Sequence, residues 1–164
     1  MATPNERLLY AAKTDLVELA QDVLSLAPND FDVNFRDGLG NTALHYAASS
    51  PSPDVLDLLL DFDATDVDLQ NRLEGATPMH LAVKLQNEAA RQGVIQMLLD
   101  AGADPAIKDR HDNKVGDYLN PDNETDQAIE AAIKAALAEA AFGGIDSADI
   151  ANEDDDGEGG SESD

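Results

Sequence analysis

Thr42-Ala-Leu-His-Tyr-Ala47 recurs 35 residues later as Thr77-Pro-Met-His-Leu-Ala82, with Gly40 and Gly75 each two residues before the threonine. The runs that follow also match. Val55-Leu-Asp-Leu-Leu-Leu60 answers to Val94-Ile-Gln-Met-Leu-Leu99, and Asp66-Val-Asp68 to Ala103-Asp-Pro105. Self-similarity at a period of roughly 20 to 50 residues is the mark of stacked repeats. Each unit reads as helix, turn, helix, loop. Thr42 and Thr77 are suited to cap a helix by accepting from a free backbone N–H, Pro78 suits a first helical turn, and Gly40 and Gly75 permit the tight turn before it. Ala47-Ala48 and Ala82-Val83 let neighbouring helices approach, while Leu58, Leu59, Leu98 and Leu99 fill the space between units. No single unit can bury its apolar face alone, so stacking supplies the core.

The template extends outward in both directions. Leu8-Leu-Tyr-Ala-Ala12, then Leu16-Val-Glu-Leu-Ala20 and Val33-Asn34, make a first unit that lacks its opening turn. Val115-Gly-Asp-Tyr-Leu119 and Ala128 to Phe142 make a last one. In that last helix Ile129, Ile133 and Leu137 recur every four residues, Ala136 and Ala140 widen the stripe, Glu130 precedes Lys134 by one turn, and Gly143-Gly144 is placed to end it.

Gly-x-Thr followed by Leu or Met, His, Ala, an apolar helix and Gly-Ala-Asp resembles the ankyrin repeat, in full register over 38–112 and loosely over 6–37 and 113–143. Ala43 departs from the family's Pro and Met79 from its Leu. The resemblance implies an all-α solenoid of about four stacked helix-turn-helix repeats, about 6–37, 38–72, 73–110 and 111–143, within a domain of 1–145. It further implies hairpin loops that project as fingers and, with the first helices, line a concave binding face. In the family the histidine, here His45 and His80, bonds neighbouring loops and helices.

Thirty-four acidic residues stand against ten basic ones, a formal charge of −24. Such a balance repels phosphate backbones and anionic membrane surfaces and attracts a basic protein. No Trp and few Phe or Tyr leave little for single-stranded nucleic acid to stack on. Nine of the acids and no base fall in 146–164, where Asn152 to Asp164 has no apolar residue to bury, so a disordered acidic tail is expected. The absence of cysteine, and of a signal-like apolar stretch in Met1 to Tyr10, points to the cytoplasm or nucleus.

Nothing in the pattern supplies chemistry. Gly38-Leu-Gly-Asn-Thr-Ala43 loosely matches a dinucleotide loop but follows no buried strand, and no Cys or elbow serine offers a nucleophile. No catalytic group, cofactor or metal is expected, and the chain alone is expected to be a monomer. The expected contacts are protein contacts: Phe35, Arg36, Leu39, Tyr46, Ser50, Arg72, Leu73, Glu74, Lys84, Leu85, Arg110, His111 and Tyr118 on fingers and concave face. Asp154, Asp155, Asp156, Glu158, Glu162 and Asp164 of the tail would hold a basic segment. Two irregularities add to this. About four extra residues within Lys84 to Gly93 suffice for one more helical turn, so the third unit's first helix should protrude. Pro51-Ser-Pro53 should stiffen the turn of the second. The role that follows is an adaptor or escort chaperone for a basic client such as a ribosomal protein or histone. The alternative is a regulatory subunit or inhibitor docking on an enzyme or transcription factor through its concave face.

Overall fold

The computed structural model describes residues 2–143, which form seven α-helices and one 3₁₀ turn, with no strand among the described residues. Helices pair along the chain: α1 (Pro4–Thr14) with α2 (Val17–Leu24), α3 (Ala43–Ser49) with α4 (Pro53–Asp61), and α5 (Pro78–Ala82) with α6 (Glu88–Asp100). The 3₁₀ turn Val115–Tyr118 and α7 (Glu124–Gly143) close the series. The first helices α1, α3 and α5 stack into one row; α2, α4, α6 and α7 form the outer row. This is the all-α ankyrin-repeat solenoid that the sequence pattern implies.

The core is one continuous cluster between the rows. Leu8, Leu44, Leu56, Leu59, Met79, Ile95, Leu98 and Ile129 are its largest sealed aliphatic side chains, and Ala11, Ala12, Ala47, Ala48 and Ala82 are fully buried where the inner helices pack. Replacing such an alanine with a larger residue would force those helices apart.

Side-chain caps fix the starts of α1, α3, α5 and α6. Thr3 forms a capping box with Glu6 on α1, and Thr42 and Thr77 accept from the His45 and His80 amides. Ser52 makes no side-chain cap on α4. The Asp15 carboxylate does so instead from the preceding unit, accepting from Val55 N–H at 3.0 Å, and Asp15 reaches it by adopting a left-handed φ of 57°.

Three local expectations are corrected. The extra residues of the third unit lengthen the second helix, α6, while α5 has only five residues. Asn87 caps α6, and Arg91 in its first turns pairs with Asp126 of α7 at 2.9 Å and donates to the Leu85 carbonyl, so the insertion clamps the last helix rather than protruding. The fourth unit's opening helix is reduced to the 3₁₀ turn, because Pro121 biases the residue before it away from helix. The loop register is one residue from the sequence match: Asp66 and Asp104, each accepting from the amide two residues on, are equivalent positions. On α7 the Glu130–Lys134 pair forms at 2.9 Å and Ile129 and Ile133 are buried, but Leu137 is 41% exposed, with no further repeat over it among the described residues. The expected tail lies outside the described residues.

Gly40 sits at φ 82°, and a Cβ there would come within 2.5 Å of the Arg72 backbone nitrogen, whereas one on Gly38 meets nothing within 4 Å. Gly40→Ala is therefore expected to cost at least about 2 kcal/mol in urea unfolding, from left-handed strain plus displacement of the neighbouring finger. Gly38→Ala should stay within about 0.5 kcal/mol.

Candidate protein-binding surface

Each finger is a tight loop closed by the side chain of its first residue. Asp37 accepts from the Leu39 and Asn41 amides, Asn71 from Glu74 and Ala76, and Asp109 from His111 and Asn113. Gly40, Gly75 and Asp112 take the left-handed position in the three loops. Adjacent fingers join edge to edge: Arg72 N–H donates to the Leu39 carbonyl at 2.9 Å and Arg110 N–H to that of Glu74 at 2.8 Å. Gln70 donates to the Gly75 and Lys108 carbonyls, reinforcing the junction of the second and third.

Two of the three guanidinium groups expected to meet a partner, those of Arg36 and Arg110, are occupied within this row. Arg36 donates to the Gln70 carbonyl, and Arg110 to those of Arg72 and Leu73. What the tips present outward is apolar: Leu39 is 48% and Leu73 60% exposed, with His111 exposed in the equivalent third loop. Ser50 is exposed at the end of α3, Arg72 is exposed, and Glu74 is half-buried. Phe35 and Leu85 are half-buried against the core and serve packing.

Behind the tips lie two matching polar sites. The Tyr46 and Tyr118 hydroxyls donate to Asp37 and Asp109, in each case nine residues earlier. Lys13 stands over the Tyr46 ring at 4.6 Å and Lys84 over the Tyr118 ring at 4.7 Å. Sequence reasoning missed Lys13, Asp37 and Asp109. The recurring Asp and Tyr at a spacing of nine was the available signal, but the lysines come from the preceding unit, where only stacking sets the register. Burial works to raise the Asp37 pKa, yet the Tyr46 hydroxyl and the Asn41 and Leu39 amides outweigh it and hold the carboxyl below its ordinary 3.8. Asp109 is held low in the same way by Tyr118, Asn113 and His111. Burial and the Asp37 charge push the Tyr46 hydroxyl up, and Asp109 does the same to Tyr118.

His45 and His80 lie beneath this face, fully buried. The His45 Nδ1 accepts from Thr42 N–H at 3.1 Å and its Nε2 donates to the Ala76 carbonyl of the next finger at 2.9 Å. His80 repeats the pattern with Thr77 at 3.2 Å and the Asn113 carbonyl at 3.0 Å. With both ring nitrogens committed, neither imidazole has a lone pair for a metal or a reacting proton.

A stacked array of paired helices with edge-joined fingers is matched over residues 8–109 by the model for ankyrin repeats (3 copies). The chain belongs to the ankyrin-repeat family. It is 34% identical over 146 residues to Ankyrin repeat-containing protein YGL242C of Saccharomyces cerevisiae, taking in 84% of this chain and 80% of that one. Human NF-kappa-B inhibitor delta is 25% identical over 117 residues, 70% of this chain and 37% of that protein. Human Ankyrin repeat and SOCS box protein 6 is 35% identical over 105 residues, 63% and 23% of the two chains. Ankyrin repeats are protein–protein interaction modules, and that role extends to this chain. No helix among the described residues is long and apolar enough to cross a membrane.

Burial holds the His45 imidazole below its ordinary pKa of 6.5, against the opposing pull of the Ala76 carbonyl. A depressed folded-state pKa means that the stability due to neutral His45 is complete above pH 6.5 and is lost as pH falls through the lower folded value. An NMR titration is expected to place the His45 midpoint below 6.5. His45→Ala, which strands the Thr42 amide and the Ala76 carbonyl, should cost about 2–4 kcal/mol in chemical unfolding.

Proposed function

We propose that this ankyrin-repeat protein is a non-enzymatic adaptor or escort chaperone for a basic client, of the class of ribosomal proteins and histones. The formal charge of −24 carries this reading, since so large an acidic excess draws cationic surfaces and repels nucleic acid. The finger tips Leu39, Leu73 and His111, with Tyr46 and Tyr118 behind them, would give the client its specific contact. Arg36, Arg72, Glu74, Lys84 and Arg110 would border it. The carboxylates Asp154, Asp155, Asp156, Glu158, Glu162 and Asp164 would shield a basic segment. On this reading the protein is a monomer until its client binds and works in the cytoplasm or nucleus, where such clients are made and assembled.

A second reading has its own support. One relative is named as an inhibitor of NF-kappa-B, and exposed leucines at finger tips suit apolar docking on a folded partner. In that case the protein is a regulatory subunit or inhibitor, and the acids serve solubility.

Titration calorimetry with purified core histones and with ribosomal proteins separates the two, using the full chain and a chain cut after Ile145. An escort is expected to bind stoichiometrically at low salt and to lose about tenfold or more in affinity both at high salt and on loss of the nine tail acids. Absence of binding at low salt, or affinity indifferent to salt and tail, would overturn the escort role.

A further inference from the structure

The outer helices end in a row of acidic clefts that the finger face does not use. A cavity of about 660 Å³ opens between the loops after α2 and α4, lined by Leu24, Phe31 and Phe62 and bordered by Asp32, Asp61 and Asp63. The two phenylalanine rings lie 5.8 Å apart, centre to centre. A second cavity, about 310 Å³, shares Asp61 and continues between α4 and α6, adding Met97, Asp57 and Asp100. No lysine or arginine lines either one.

Helix direction deepens the same charge. The cavities gather the C-terminal ends of α2, α4 and α6, none of which has a basic residue in its last turn. Asp61 and Asp100 are the last residues of α4 and α6, where the free carbonyls already carry partial negative charge. A carboxylate there is disfavoured in the free protein, and a cation laid across the helix ends relieves it. No ion pair among the described residues involves Asp61 or Asp63. The bases lie elsewhere: the Arg36 and Arg110 side chains knit the fingers and Lys13 and Lys84 cover the tyrosines.

We propose that this groove docks a basic segment of a partner protein, an apolar side chain entering the phenylalanine-lined cavity and lysine or arginine heads meeting the aspartates and helix ends along the second. Resting on the basic-client reading above, it adds a basic contact on the outer row to the one assigned to the tail. Charge selects the occupant. A second copy of a chain at −24 meets this border with net repulsion, and the chain's own Asn152 to Asp164 holds no base. A free cation would leave the apolar floor unused.

The test titrates the ¹⁵N-labelled full chain with a short peptide alternating leucine with lysine and arginine, beside a counterpart bearing glutamate for the bases. Amide shifts from the basic peptide alone are expected at Leu24, Phe31, Phe62, Ala64 and Met97. Asp61→Asn with Asp63→Asn should weaken it about tenfold, and lysine at both positions should abolish binding. The thermal midpoint of these variants should hold or rise, since each removes an acid from a helix end, which rules out unfolding as the cause. Shifts confined to Leu39, Leu73 and Tyr118, or an affinity unmoved by the lysine variants, would overturn the docking site. So would a dimer in light scattering that the lysine variants dissolve, which assigns the groove to a second copy. Histones that bind the wild type and the lysine variants alike overturn the site but leave the basic-client reading standing. Histones that fail to bind at low salt overturn that reading and this site with it.

Discussion

A buried imidazole that starts one helix and ends on the backbone of the next finger is the connection on which the stack depends. Thr42 and His45 cap α3 while His45 holds the Ala76 carbonyl; Thr77 and His80 cap α5 while His80 holds the Asn113 carbonyl. Helix initiation and stacking thus share one side chain, and neither is complete without the other. The apolar core is large but non-directional, so it does not set the register between repeats. The histidines do, aided by the edge bonds from Arg72 and Arg110 and by the loop contacts of Asn34 with Asp66 and Asp68 with Asp104. Each of these contacts joins nearest neighbours, which is why stability in such an array is close to a sum over units and their interfaces.

The elements readable from sequence are those whose cause is local. Thr42, Thr77, Pro78 and the glycines announced the helix starts, and the apolar runs announced the second helices. What escaped has a cause in another repeat. The insertion at Lys84 to Gly93 went to α6 because Asn87 caps it there and Arg91 finds Asp126, a partner 35 residues away. Asp15 capping α4 likewise bridges 40 residues. On the candidate face, exposure of Leu39 and Leu73 followed from their place at a loop tip. Phe35 and Leu85 sit in equally exposed-looking sequence but lean on the core, and Arg36 and Arg110 turn back to carbonyls of neighbouring loops, which no spacing rule within one unit reveals.

Charge is laid across the fold in a way that the stack tolerates. On the inner side Arg36, Arg110, Lys13 and Lys84 are engaged by carbonyls and tyrosine rings, so they contribute shape more than free positive field. The acids around the two outer cavities have no such partners among the residues that line them. Asp61 and Asp100 stand at the negative ends of their helices, and burial, with the neighbouring carboxylates of Asp104 and Asp66, pushes the Asp68 carboxyl above its ordinary 3.8. The free protein therefore carries electrostatic tension along one edge that its core must offset.

That tension has a structural reason to persist. A residue at the end of an outer helix touches its own repeat and at most the next, so its charge can be altered without disturbing the histidine relay or the alanine contacts of the inner row. The finger tips lack this freedom, because each finger's backbone is a hydrogen-bond partner of the one beside it and Gly40 has no room for a Cβ against Arg72. Outer helix ends are consequently where this architecture can adopt an unfavourable charge for the sake of a partner at the least cost to folding. The carboxylates of Asp32, Asp57, Asp61, Asp63 and Asp100, set around an apolar floor and opposed by no base, are placed as that freedom would allow.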